Sequence, residues 1–544
     1  MKGSFLVRNR NRLSSLGLMF VLLVGGAACR QSRSGGPYPL SPEMVLLARD
    51  ARSDDYARIL GAMTNPWDVT AEYERLNVTD SAEAFARQHG GVDAVMADPE
   101  LRAAYEERQA TVTAFRALLD RELGDRDKKT SVAPPAITEH GQEVADKGAI
   151  SITPVPVAPG AERWWPQWRG PSGQGTSTET DPPTAWSTQQ NIAWKTVMPG
   201  SGNSSPIIWE DRIYLTTAFD KGARRSLVCL RRDDGETLFV KDAPPAPPEQ
   251  RIKQKTGYAA ATPVTDGERV VTFFGNAGLV CFDLDGKVLW HHPVPPFEGT
   301  HGLAASPLLW NDLAILMQEH NGKRSVALAV DKHTGERRWG YDRPKSLGWC
   351  TARAVRIAGQ DQLIYGASNI VLGLDPATGD ELWRCAGPTH EVVPTLVCGH
   401  GMIYSTSGRS GPTVAIRPDG TGDITDTNVV WRSSRGGPHV PSPVLWDDLL
   451  YLVNDTGILT CLDAVTGKTV YQQRLRGRFT ASLAAAAGRL YCTNERGDTY
   501  VVRCGREHEL IAVNPLEESV LASPAILDGR LYIRGEMHLF AIGA

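Results

Sequence analysis

One ten-residue pattern constrains the fold of this chain more than any other feature. A Ser- or Thr-led opening runs through apolar residues to Asp or Gly and then to an apolar triplet. "SPIIWEDRIY", "SPLLWNDLAI", "SPVLWDDLLY" and "SPAILDGRLY" are four instances. In six copies the second position and the closing apolar residue stand eight apart: Pro206 and Tyr214, Pro263 and Val271, Pro307 and Ile315, Pro443 and Tyr451, Leu483 and Tyr491, Pro524 and Tyr532. "TLVCGHGMIY" keeps the spacing from Leu396 to Tyr404, and "TARAVRIAGQDQLIY" is a longer copy ending at Tyr365. Eight copies at a period of roughly 39–57 residues predict a ring of repeated supersecondary units, a propeller.

Each copy reads as a four-stranded antiparallel blade. Pro sits at the start of the first strand, where its missing amide is harmless. A Gly-started third strand follows, as in "GLVCFDL" and "GILTCLDA". An Asp-x-x-Thr-Gly turn then leads to a last strand ending in an aromatic residue, as in "DKHTGERRW" (331–339), "DPATGDELW" (375–383) and "DAVTGKTVY" (463–471). Asp bonds nearby amides in such a turn and Gly takes the positive-φ position. The last copy supplies three strands, and "NIAWKTV" (191–197) is a fourth strand without a blade of its own. The expected fold is therefore all-β: an eight-bladed propeller closed by that N-terminal strand, with a small helical segment ahead of it. Trp194, Trp290, Trp339, Trp383 and Trp431 are expected to pack between blades.

Upstream, residues 1–28 read as a signal peptide. Lys2, Arg8, Arg10 and Arg12 precede the short apolar run "LSSLGLMFVLLV". The run is shorter than the ~20 residues of a spanning helix. "GGAAC" ends it, and two readings are open: a lipobox with Cys29 lipidated, or a plain secretory signal cut after Ala28. Gly26 stands where a lipobox prefers Leu. Residues 37–126 are helical in pattern. Asp98-Pro99-Glu100 starts one helix, with Leu101, Tyr105, Val112, Phe115, Leu119 and Leu123 on one face. Asp80 and Glu83 mark a second start. Residues 127–162, rich in Pro, Gly and polar residues, read as a linker, and 163–544 as the propeller.

Charge and cysteine usage narrow the function. The chain carries 58 Lys and Arg against 62 Asp and Glu. The leader holds four of the basic residues, so its removal leaves the rest more acidic. Nucleic acid is not the expected partner. Eight cysteines follow Cys29: Cys229, Cys281, Cys350, Cys385, Cys398, Cys461, Cys492 and Cys504. Cys229, Cys281 and Cys461 hold one slot in three repeats, so they are far apart and read as small buried apolar residues.

The Asp-x-x-Thr-Gly-x-x-x-Trp repeats with Ser-Pro opening the next blade resemble the pyrroloquinoline-quinone (PQQ)-type, quinoprotein-like propeller superfamily. "WWPQWRGPSGQG" (164–175), "PGSGNSSP" and "DGTGDITDTNVVWR" resemble its branch similar to the outer-membrane assembly lipoprotein BamB. The resemblance covers about 163–544 and implies a fold more than a function. It makes PQQ a candidate cofactor by resemblance only. PQQ alcohol dehydrogenases carry an adjacent Cys-Cys pair, which this sequence lacks, and their Trp-docking motif is not clear in it. By the same kind of resemblance, Arg30 after Cys29 implies the outer rather than the inner membrane, or a soluble periplasmic protein if Cys29 is not lipidated.

Residues just before each blade's opening should face the central funnel. They are Asn203, Tyr258, His301, Trp349, His390 with Glu391, His439, Arg478 and Glu518. Three His from different blades have no local metal-ligand spacing, so no metal site is assigned. No G-x-S-x-G or HExxH is present, and no catalytic residue is assigned. The sequence is thus read as an exported, lipid-anchored propeller that binds or scaffolds envelope proteins or polymers. The alternative is a PQQ-dependent oxidoreductase.

Overall fold

The computed structural model describes residues 92–99, 101–103, 105–106, 150–247, 255–296, 302–319, 325–343, 347–387, 389, 391–407, 411–433 and 436–543. Cys29, His301, His390 and the second expected helix start at Asp80 lie outside them. The chain divides into two compact units, Met1–Val132 and Ala133–Ala544. In the first, helix Val92–Ala97 ends before Asp98, whose Oδ1 accepts the Leu101 amide at 3.2 Å. Asp98 is the expected cap. Val95 and Tyr105 are buried with Leu101 packed against them.

The second unit is a ring of eight four-stranded antiparallel blades. Their innermost strands are Ile207–Trp209, Val264–Thr265, Leu308–Trp310, Arg353–Ile357, Val397–Gly399, Val444–Trp446, Ala484–Ala486 and Ala525–Leu527, which number blades 1 to 8. The residue that closes each pattern lies on the second strand and is fully buried: Tyr214, Tyr365, Tyr404, Tyr451, Tyr491 and Tyr532 in six blades, Val271 and Ile315 in the other two. Tyr214 faces Ile207 and Cys229 across its neighbours, and Tyr451 faces Val444 and Cys461. The period of eight is therefore one hairpin register repeated around the ring. All eight cysteines after Cys29 are free thiols, and burial pushes Cys229, Cys281 and Cys461 up to about 12, which leaves them inert.

Ser or Thr before the Pro position is more constant than Pro itself, and the structure shows why. At seven of the eight blade junctions the amide of the opening residue donates to the hydroxyl of the next blade: Ser205 to Thr262 (3.0 Å), Thr262 to Ser306 (3.0 Å) and Ser306 to Thr351 (3.1 Å). The series resumes with Thr395 to Ser442, Ser442 to Ser482 and Ser482 to Ser523, each 2.9 Å, and Ser523 to Ser205 at 3.0 Å. Thr395 Oγ1 accepts instead from Trp168 Nε1 at 3.0 Å. This belt of hydroxyls stitches neighbouring blades at the inner end of seven junctions, and the junction of blades 4 and 5 is the exception. Ser442→Ala should leave the buried Thr395 amide unpaired and cost about 1–3 kcal/mol. Ser442→Thr should retain most of the stability, and denaturant midpoints compare the two.

The outer strands are docked by their tryptophans. Trp194, Trp290, Trp339 and Trp431 donate Nε1 to the backbone oxygens of Arg232, Lys332, Pro376 and Ala464, at 2.8–3.0 Å, in the turn of the next blade, which Asp leads in three cases and Arg231 in the first. The turn glycine lies under the indole. A Cβ on Gly335, whose φ is +76°, would fall 2.8 Å from the Trp290 ring. The sequence shows no clear docking motif, yet the structure contains four such docks, because each joins residues of two different repeats. Trp383 differs: it is fully buried and donates to Gln362 Oε1 of its own blade at 2.8 Å.

Blade 8 consists of Ala525–Leu527, Arg530–Arg534, His538–Ile542 and, as its outer strand, Ile192–Val197. Arg534 pins this blade to blade 1. Its side chain is buried, and Nη1 donates to Ser204 Oγ and the Thr216 carbonyl, each at 2.8 Å. Burial holds its guanidinium down at about 9. One part of the expected linker is not a linker: Ile152–Pro154 pairs with the innermost strand of blade 4 and extends its sheet. Ile152 and the preceding Ile150 pack on the core that includes blade 4, which low local periodicity conceals.

Candidate functional site: a closed cup in the funnel

Residues 164–179 run across the inner strands of the ring. Trp165 exchanges backbone hydrogen bonds with Ile208 of blade 1, and the Pro166 carbonyl accepts from Thr265 of blade 2. Arg353 of blade 4 donates to the Ser172 carbonyl, and Gln174 Oε1 accepts the Cys398 amide of blade 5. Arg169 donates to the Pro443 carbonyl of blade 6. Gly175 and Ser177 bond Ala485 of blade 7, and Ser177 Oγ reaches Ile526 of blade 8. A cavity of about 20 Å³, room for one water, is left between Gln167, Trp168 and the inner strands of blades 3 and 4. The central channel is thus closed by the chain's own segment.

The glycines of "WRGPSGQG" make this path. Gly170 has φ +82°, and a Cβ there would lie 2.8 Å from the Trp165 ring. Arg169 is fully sequestered among backbone carbonyls. Burial, helped by the nearby charge of Arg353, lowers its guanidinium to about 9.

Above this closure lies a cup of about 360 Å³. Asn203, Trp349, Glu391, His439 and Arg478 line it, together with Trp168, Lys255, Asp455, the belt hydroxyls and the apolar Val393, Val440 and Leu521. Most of its polar groups tie neighbouring loops together. Asn203 Nδ2 donates to the Lys255 and Thr256 carbonyls at 2.9 and 3.0 Å. Trp349 Nε1 donates to the Gly302 carbonyl at 2.9 Å. The His439 amide donates to Asp455 at 2.7 Å, and His439 Nε2 lies 3.9 Å from Glu391. Glu495 accepts from Lys255 at 2.6 Å and from Thr480 at 2.7 Å.

Two of the expected mouth residues do not line the cup. Glu518 turns to its own blade junction, where it accepts from the Met537 and His538 amides at 2.9 Å and meets His538 Nδ1 at 2.6 Å. Tyr258 packs over Gly222 and under Arg225. Sequence position alone did not reveal Trp168, Lys255 or Asp455. They come from the crossing segment and from loops of other registers.

Among the described residues, no group of three His, Cys, Asp or Glu is placed to hold a metal ion. Trp168 and Trp349 are the aromatic residues that line the cup, but among the described residues a metal-assisted quinone finds no ligand set for its cation. Lys255, a candidate partner for a cofactor carboxylate, is already engaged by Glu495. The described residues do not fit such a group, and no chemical step is derived through it.

Eight blades with this turn, dock and Ser/Thr opening define a quinoprotein-like propeller. The family profile described as "Outer membrane protein assembly factor BamB" matches residues 176–323, 253–416 and 420–514, together more than half of the chain. The chain belongs to that family. No curated protein sequence matches it. Among solved structures, a europium-containing methanol dehydrogenase superposes with a TM-score of 0.54 at 10% identity, covering 69% of this chain and 90% of that one. The quinohemoprotein alcohol dehydrogenase of Comamonas testosteroni gives 0.53 at 12%, covering 74% and 82%. BamB from Moraxella catarrhalis gives 0.47 at 13%, covering 64% and 98%. At these identities the likeness is one of fold.

Proposed function

We propose that the chain is a binding protein of the bacterial cell envelope and that its cup is the receiving surface. The observation that carries this is the construction of the cup. It is closed by the chain's own segment, and its polar side chains serve mainly to hold the surrounding loops in place. That is a rigid receptacle rather than an acid–base pair aimed at a reacting atom. A rigid β scaffold with binding groups on loop ends is the usual division of labour. Family membership supports the envelope, as does the signal-like leader with Cys29 as its lipidated residue at the periplasmic face of the outer membrane. Among the described residues no helix is long and apolar enough to cross a membrane. The oxidoreductase reading rests on the fold alone.

The test uses the full chain and its Glu391→Ala/His439→Ala/Arg478→Ala variant as baits for envelope extract, with captured proteins identified by mass spectrometry. The wild type should retain a specific protein that the triple variant loses, with a cooperative melting transition kept and only slightly lowered, because all three side chains lie at the cup and outside the blade cores. Equal capture by both, or alcohol oxidation by the wild type on addition of PQQ and calcium, would overturn the reading.

A further inference from the structure

One sector of the rim has a charge opposite to that of the chain as a whole. The loop that leaves blade 6 carries Arg476 and Arg478, and the hairpin at the top of blade 7 carries Arg496; all three are exposed. The two loops are sewn together. Asn494 Nδ2 donates to the Arg476 carbonyl at 3.0 Å, and the Glu495 amide donates to the Arg478 carbonyl at 2.8 Å. A Cβ on Gly477, between the two arginines, would lie 2.6 Å from Asn494 Nδ2, so the loops are in tight apposition.

The carboxylates nearby are already engaged. Glu495 holds Lys255 and Thr480, Asp498 accepts from Asn494 at 2.9 Å, and Glu518 holds His538. The further acids there are Asp455, which accepts the His439 amide at 2.7 Å, Glu391, 3.9 Å from His439 Nε2, and Glu517, exposed on the adjoining loop. Among the described residues, Arg476, Arg478 and Arg496 make no ion pair. In a chain with a net charge of −4, this concentration of cations does not follow from composition. Arg478 also lines the cup, so the sector opens directly onto Trp168, Trp349 and the apolar wall of Val393, Val440 and Leu521.

We infer that the cup receives an acidic peptide segment of a partner protein. Its carboxylates pair with Arg476, Arg478 and Arg496, and one apolar or aromatic side chain enters the cup. The inference rests on the cup being the receiving surface and adds the chemistry of its occupant. Guanidinium groups on stitched loops suit planar carboxylates. The apolar wall favours a chain bearing both charge and an apolar group over a purely polar anionic polymer.

Fluorescence anisotropy of the full chain with labelled seven-residue peptides tests this. The probes are Asp-Glu-Asp-Trp-Glu-Asp-Glu, the same peptide with Ala for Trp, its Lys-for-acid counterpart, and a polyglutamate of equal charge. The tryptophan-bearing acidic peptide should bind best, and raising the salt should weaken it. Arg476→Glu/Arg496→Glu, which spares every residue lining the cup, should weaken it about tenfold or more. Equal binding of the Lys peptide, or wild-type affinity in the double variant, would overturn the inference. So would tighter binding of polyglutamate, which would point to a polymer. If the acidic peptides fail while envelope capture still depends on Glu391, His439 and Arg478, the acidic occupant is wrong and the cup reading stands. If capture ignores those three residues, the cup reading itself falls.

Discussion

A chain in which Ile192–Val197 is replaced by six Gly/Ser residues is expected to lose its cooperative melting transition and to aggregate. The substitution keeps chain length, so the effect is that of the strand itself. It keeps the backbone groups that pair with His538–Ile542 but takes away the side chains and strand preference that hold the ladder together. It removes Trp194, whose indole covers the Gly235 turn, and Thr196, which donates to the Gly235 carbonyl at 2.8 Å. Blade 8 would then present the strand "HLFAI" as an open edge next to a core of Leu539, Phe540 and Ile542. Open apolar edges pair with other chains. The loss falls on the scale of a domain's whole margin, about 5–15 kcal/mol. Size-exclusion chromatography and calorimetry would show it. A monomeric variant melting like the parent would mean that blade 8 does not depend on this strand.

Trp165→Ala should cost about 3–5 kcal/mol, the range for a fully buried tryptophan. Trp165 is 1% exposed, lies against Gly170 and joins the core shared by blades 7, 8 and 1. Without it, the crossing segment loses its anchor at blade 1, and the closure of the channel loosens with it. Trp164→Ala is the control: Trp164 is half-buried, packs 6.3 Å from Trp209, and should cost far less. Denaturant midpoints of the two variants give the comparison. A Trp165→Ala chain as stable as the control would show that the segment merely lies on the ring.

The blades were legible because each is made of contacts inside one repeat. The Pro-to-Tyr spacing encodes a hairpin register, and Cys229, Cys281 and Cys461 could be placed as core residues from their shared slot. The crossing segment was not legible for the opposite reason. Arg169 ends on the carbonyl of Pro443, 274 positions away, and no local period announces that contact. Its glycines carried a signal, three in six residues, but only the structure shows what they pass. The Trp docks were half legible: the sequence marks both the indole and the glycine without stating that they meet across a blade boundary. The mouth was read by position. Position found Asn203, Trp349, Glu391, His439 and Arg478 at the cup, but Glu518 and Tyr258 occupy equivalent places and are captured by His538 and by Gly222. Arg476 and Arg496 were overlooked because loops of unrelated register become neighbours only through Asn494.

The central claim, that this propeller acts by receiving a partner in its cup, is tested most directly by site-specific photo-cross-linking in intact cells. A photoreactive amino acid is placed at His439 in the cup and, separately, at Leu238, exposed on the outer strand of blade 1. The account predicts a discrete covalent adduct with one envelope protein from position 439 and none from position 238. An adduct from position 238 alone would contradict it.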